Sequence, residues 1–245
     1  GFPRSGTTLI DSILRSHSKI NVIEEKPLLH KIYREINYLS SISDIEKIDN
    51  ESANIASKAY FNEAKKYCKI NKNSILVDKL PLNIFEIPLI HRIFPNSKII
   101  LAIRHPYDCI LSCWMQNFKL NHAMANMVDL DIVVEFYIHA MHFFHICKKR
   151  YNIDIFKVRY EDLVSNFNYE VNNLLSFMDL EWEEGLKNYH EKVFSRNSIN
   201  TPSYSQVIKP LYQHASFRWL KYKKNFTKYN NKILPWINEF GYNLS

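Results

Sequence analysis

Glycine is scarce in this chain, at 4 of 245 residues, and only 9 prolines accompany it. That excludes a low-complexity segment or a long flexible linker. Cysteine is also sparse. Cys68, Cys109, Cys113 and Cys147 form no CxxC pair and no zinc-ligand spacing. Cys109 and Cys113, four apart, would share one helix face, a poor geometry for a disulfide. The four read as reduced packing thiols in a reducing compartment, and a cytoplasmic location is the expectation. No run reaches the roughly 18 apolar residues of a membrane span. Acidic residues are in the minority, 25 against 32 Lys and Arg, for a formal net charge of +7. An anionic partner follows from that balance, although the lysines are scattered among Asn and Ile and the charge counts lightly.

With 46% hydrophobic and 14% aromatic residues the chain can bury a substantial core. Short apolar runs alternate with long amphipathic stretches, the pattern of a parallel sheet with crossover helices. The strand candidates are Ser74–Val77, Lys98–Ile103 and Asp154–Val158, each continuous and apolar as strands covered on both faces are. A further strand is expected ahead of Gly1, where the chain opens directly on a loop. Helices are expected over Thr7–Ser16, with Leu9, Ile10, Ile13 and Leu14 on one face, and over Asp44–Cys68, Pro106–Phe118, Asp131–Arg150 and Asp162–Met178. The tail from Tyr212 has helical periodicity through Phe226 and again over Asn230–Phe240. The expectation is one α/β domain spanning residues 1–245, a P-loop-like three-layer α/β/α fold on a central parallel sheet of about four to five strands.

Two of the four glycines bracket the opening stretch GFPRSGTTLI. It nearly fits the phosphate-cradling pattern G-x-x-x-x-G-K-[ST], but Thr7 stands where lysine is required and Arg4 is the loop's only cation. A loop between strand and helix aims backbone N–H groups and the helix's partial positive charge at one point. Ser5, Thr7 and Thr8 add hydroxyls, and Arg4 a planar fork for oxyanions. Phosphoryl transfer would also need magnesium and an acidic residue at a neighbouring strand end, for which Asp78 qualifies. A second informative stretch is IRHPYDCILS, 103–112. Arg104 ends a strand candidate, Pro106 suits a first helical turn, and Ser112 lies two turns further on. Two such grips side by side imply a ligand with two separated phosphates. His139, His142 and His145 share a helix side without a partner motif and read as structural. KYKKNFTKYNNK, 221–232, reads as a solvated face rather than a nucleic-acid arm.

GFPRSGTT resembles the loop that binds the 5′-phosphosulfate of PAPS (3′-phosphoadenosine 5′-phosphosulfate) in sulfotransferases, and RHPYDCILS resembles their 3′-phosphate motif. IEEKP (23–27), VDKLPLN (77–83), HRIFPNSKII (91–100), VRYEDLV (158–164) and TPSYSQVIKPLYQHASFRWLKY (201–222) extend the resemblance over nearly the whole chain. The branch is that of bacterial sulfotransferases often fused to tetratricopeptide repeats, akin to tyrosylprotein sulfotransferases. The resemblance implies sulfuryl transfer from PAPS to a hydroxyl, with PAP released and no metal. It implies Glu25 as general base, beside a neighbouring Glu24 that leaves the register open by one. Lys79 and Ser203 would act near the departing bridging oxygen, with Arg4 also at the reacting centre. Arg4, Ser5, Gly6, Thr7 and Thr8 would cradle the phosphosulfate. Arg104, Ser112 and Tyr160 would hold the 3′-phosphate, and Arg218 or Lys209 would reach the nucleotide. The implied partner is a hydroxyl-bearing acceptor, a peptide tyrosine, carbohydrate or small metabolite, and not nucleic acid. Any repeat segment would lie upstream of Gly1. A P-loop kinase and a non-catalytic anion-binding module are the competing readings.

Overall fold

The computed structural model describes residues 1–36, 41–71, 73–118, 124–190 and 216–244. Four strands are present among them: β1 (Ile20–Glu24), β2 (Ile75–Lys79), β3 (Lys98–Ile103) and β4 (Asp154–Arg159). All pairing is parallel. β1 lies beside β2 with Ile20 opposite Ile75 and Glu24 opposite Lys79, and β3 lies beside β4 with Lys98 opposite Asp154. The apolar-run strands are therefore where the sequence places them, whereas β1, which carries Asn21 and ends on Glu24, is not among the sequence candidates.

Side chains alternate across these strands as the pleat requires. Leu101 and Ile103 pack on one side with α6 (Pro106–Trp114), α7 (Leu130–Arg150) and the C-terminal α10 (Asn230–Glu239). Ile100 and Ala102 pack on the other with α1 (Thr7–Leu14), α8 (Tyr160–Ser165) and α9 (Phe167–Phe177). On the β1–β2 pair, Val22 and Val77 join this second layer. Ile23 and Leu76 instead meet α2 (Leu28–Glu35), α4 (Asn50–Ala64) and α5 (Ile87–Ile93). Both faces are covered by helices, which gives the expected three layers. The sheet differs from expectation in one respect. The four strands form two pairs. β2 and β3 face each other across a cavity of about 760 Å³ lined by all of β2, most of β3 and Gly1. The Gly1 amino group is buried at that gap and donates to the Pro81 carbonyl at 3.4 Å.

Helix boundaries follow local hydrogen bonding. The single helix expected from Asp44 is two, α3 (Ile42–Glu46) and α4. Asp49 breaks it by accepting the Ser52 N–H at 2.7 Å as a new N-cap. The Asp162–Met178 stretch likewise divides at Asn166 into α8 and α9. α7 is the one helix among the described residues long and apolar enough to cross a membrane. One face of it is built into the core through Val133, Val134, Tyr137 and Phe144.

α1 carries the opening loop and is anchored by Ile13, fully buried between the strands and α9. Ile13→Ala should lower the free energy of unfolding by about 2–5 kcal/mol, read from urea denaturation. A loss below about 1 kcal/mol would show that α1 is not tied to the core as described.

Candidate active site

The loop ahead of α1 is shaped by two left-handed residues, Arg4 at φ 67° and Gly6 at φ 101°. Glycine adopts this conformation freely, and a Cβ at Gly6 would come within 3.0 Å of the Tyr160 ring. The non-glycine Arg4 costs roughly 1–3 kcal/mol there, which the surrounding fold must supply. α1 then starts at Thr7 with no side chain capping it, so its partial positive end is directed into the loop. The Ser5 hydroxyl is buried and has no hydrogen-bond partner. Thr8 is buried and Thr7 half-buried.

The second motif folds onto the first. The Arg4 Nε donates to the Ser112 hydroxyl at 3.0 Å, and Arg104 Nη1 donates to the Arg4 carbonyl at 3.3 Å. The Tyr160 ring, which backs Gly6, lies 5.1 Å from the Arg104 guanidinium. Arg4, Ser5, Gly6, Thr7, Thr8, Arg104, Ser112 and Tyr160, picked out along 160 residues of sequence, therefore form one cluster at the ends of β3 and β4.

A separate charged cluster lies where β1 and β2 end. The parallel register puts Glu24 opposite Lys79, and the Glu25 N–H donates to the Lys79 carbonyl at 2.7 Å. There the chain turns, with Glu25 at φ 49°. The buried Lys79 ammonium donates to Glu25 Oε1 at 2.8 Å and Glu24 Oε1 at 3.2 Å, and lies 3.8 Å from Asp11 Oδ2. Asp11 projects from α1 with a fully buried carboxylate held by Arg15 Nε at 3.0 Å. Burial pushes its carboxyl up to about 6 against the opposing pull of Arg15 and Lys79. Sequence reasoning missed Asp11 and Arg15. Their signal was an acid and a base four residues apart on a helix, the acid next to the apolar face.

Ser203 and Lys209 lie outside the described residues. Arg218 is positioned through its neighbours: the buried Asp108 carboxylate accepts the Phe217 N–H at 2.7 Å and the Trp219 N–H at 2.9 Å. Asp108 also lies 3.9 Å from Arg104 Nη2, so this C-terminal segment is tied to the Arg104 neighbourhood. The Arg218 guanidinium itself meets the Met115 sulfur at 3.5 Å rather than the loop. Trp219 stacks on His105, their centroids 4.8 Å apart, and burial lowers the His105 ring to about 4, so it packs neutral. Among the described residues no group of three or more His, Cys, Asp or Glu is placed to hold a metal ion.

The sulfotransferase family model matches residues 1–184. An Aquifex aeolicus protein is 28% identical over 264 residues, covering 96% of this chain, which spans 34% of that protein's length. Protein-tyrosine sulfotransferase A of Caenorhabditis elegans is 22% identical, covering 99% of this chain and 66% of its own length. Among solved structures, the sulfotransferase domain of the Synechococcus PCC 7002 olefin synthase superposes with a TM-score of 0.63 at 20% identity, over 90% of this chain and 85% of that one. At that identity the likeness shows the shared fold.

Beside Lys79, Asp78 is a half-buried acid at the same strand end, with its Oδ1 buried. Tyr60 donates to its Oδ2 at 3.1 Å, its Oδ1 has no partner, and burial raises its carboxyl from 3.8 to about 6. An acid raised in the folded state contributes stability that is complete below its unfolded value and lost as pH rises through about 6. Asp78→Asn removes that loss. Its stability relative to the parent should rise between pH 4 and 7 by roughly 3 kcal/mol, at about 1.4 kcal/mol per pKa unit. Parallel urea titrations would measure it, and a difference constant with pH would contradict the assignment.

Proposed function

Because the chain belongs to the sulfotransferase family, we propose that it transfers a sulfuryl group from PAPS to an acceptor hydroxyl and releases PAP. The observation that carries this reading is the convergence of Arg4, Ser112, Arg104 and Tyr160 around the loop. An anion suits the loop. The Ser5 hydroxyl is buried without a partner, the helix end is uncapped, and a Cβ at Gly6 would crowd the cradle. Arg4, Ser5, Gly6, Thr7 and Thr8 hold the phosphosulfate, while Arg104 and Ser112, with Tyr160 beside them, hold the 3′-phosphate. Ser203, Lys209 and Arg218 are assigned to the same nucleotide from the resemblance.

In the transfer the acceptor oxygen bonds to sulfur as the bond from sulfur to the 5′-phosphate oxygen breaks, and that electron pair stays with the phosphate. Glu25 takes the acceptor's proton. Lys79 meets the negative charge growing on the departing oxygen. A sulfuryl group carries less charge than a phosphoryl group, so side-chain cations suffice and no metal is assigned. The name carried by the nematode relative favours a peptide tyrosine as the acceptor to try first.

Calorimetric titration with PAP tests the donor site. The parent protein should bind PAP equally with and without magnesium. Arg104→Ala, losing charge-assisted hydrogen bonds of about 1.5–3 kcal/mol, should bind roughly 10- to 100-fold more weakly. Binding of ATP alone, and only with magnesium, would overturn the proposal in favour of a kinase.

A further inference from the structure

Lys79 faces more carboxylates than its resting pair explains. Its ammonium is shared by Glu25 at 2.8 Å and Glu24 at 3.2 Å, and the third carboxylate, Asp11, stands off at 3.8 Å. The distant member is the best placed to matter. Asp11 is on α1, one turn beyond Thr7 and Thr8 of the anion loop, and its side chain has no exposure. Its Oδ2, the atom turned toward Lys79, is buried and accepts no hydrogen bond. An unsatisfied buried carboxylate oxygen is costly, by about 1–3 kcal/mol or more. Here it persists a short movement away from a buried cation.

The resting contact is also unproductive for chemistry. While the Lys79 ammonium donates to Glu25 Oε1 at 2.8 Å, that oxygen is occupied and the ammonium is not directed at the loop. Glu25 is released, and the ammonium comes nearer the loop, if it moves from Glu25 onto Asp11, which lies one turn beyond Thr7 and Thr8. Arg15 makes Asp11 a fixed anchor. It donates from Nε to Asp11 Oδ1 at 3.0 Å and from Nη1 to the Val22 carbonyl at 2.7 Å, with Nη2 4.0 Å from Glu24. The guanidinium thereby ties α1 to β1 and keeps Asp11 in place while Lys79 moves.

Resting on the sulfuryl-transfer reading, we propose that Asp11, braced by Arg15, is a positioning residue that draws the Lys79 ammonium off Glu25 and toward the anion loop, freeing Glu25 to accept the acceptor's proton. Asp11 must be ionised to do this. Its carboxyl is raised to about 6 by burial, with Arg15 on its own helix, Lys79 on β2 and Glu24 on β1 as the charges acting on it. Below that pH Asp11 is neutral and Lys79 stays with the glutamates.

The test compares the parent protein with Asp11→Asn, which keeps the shape and removes the charge. Conversion of [35S]PAPS to PAP with water as acceptor is followed from pH 5 to 8, beside PAP affinity and thermal unfolding. Asp11→Asn should keep PAP affinity within about twofold and lose tenfold or more in rate at pH 7.5, and the acid limb near pH 6 should move to lower pH. In parallel, a crystal structure of the parent with PAP should show the Lys79 ammonium hydrogen-bonded to Asp11 and clear of Glu25. A Lys79 still bonded to Glu25 in that complex, or a variant that keeps both the rate and the pH limb, overturns the role. A rate loss with the pH limb unmoved does so too, because a purely structural Asp11 predicts it. A parent protein that does not bind PAP at all would instead overturn the sulfuryl-transfer reading itself, and this role with it.

Discussion

A single buried ammonium organises the charged cluster at the ends of β1 and β2. Lys79 is the last residue of β2, and its charge is balanced only because β1 runs parallel to it in a register that brings Glu24 alongside and lets the chain turn at Glu25. A buried cation without such partners would cost several kcal/mol. The β1–β2 register and the left-handed turn at Glu25 are therefore bound to the same charge. A slip of one residue would send the carboxylates to the opposite face of the strand and leave the ammonium only the more distant Asp11 carboxylate.

The loop end follows a different logic, built on backbone shape and not on paired charge. Arg4 and Gly6 hold left-handed conformations that turn the loop onto the uncapped end of α1, and the Ser112 hydroxyl, eight residues past Arg104, receives the Arg4 guanidinium. Tyr160 closes the arrangement from β4's end, packed so near Gly6 that no side chain fits there. Asp108 then ties the Phe217–Trp219 segment to the same corner by two backbone N–H bonds. The two ends meet across α1, whose loop faces Arg104, Ser112 and Tyr160 and whose Asp11 faces Lys79.

Much of this was legible along the chain where the signal is local. The apolar run Lys98–Ile103 forms a strand with those bounds, and the spacing of Leu9, Ile10, Ile13 and Leu14 marks the buried face of α1. Arg104 and Ser112 could be paired with the opening loop by motif alone. What was not legible depends on pairing between distant segments. β1 was missed because Asn21 and Glu24 interrupt the apolar pattern of a five-residue strand. The Asp49 cap that divides one expected helix into two competes with an otherwise continuous helical pattern. The place of Asp11 beside Lys79 needs a helix, a strand and their register together, and no window of sequence contains all three. Glu25 and Lys79 were assigned by resemblance, and their 2.8 Å contact is what the fold adds.

Glu25 and Lys79 are proposed to work on a sulfuryl group held by the loop. Transfer of 35S from labelled PAPS to a tyrosine-containing peptide, compared between the parent protein and Glu25→Gln, tests this most directly. Label should appear on the peptide hydroxyl with the parent, and the rate should be lower by about 10²-fold or more in Glu25→Gln with PAP binding intact. Equal transfer by the two proteins would contradict the role given to Glu25 and the reading of the charged cluster as the reacting centre.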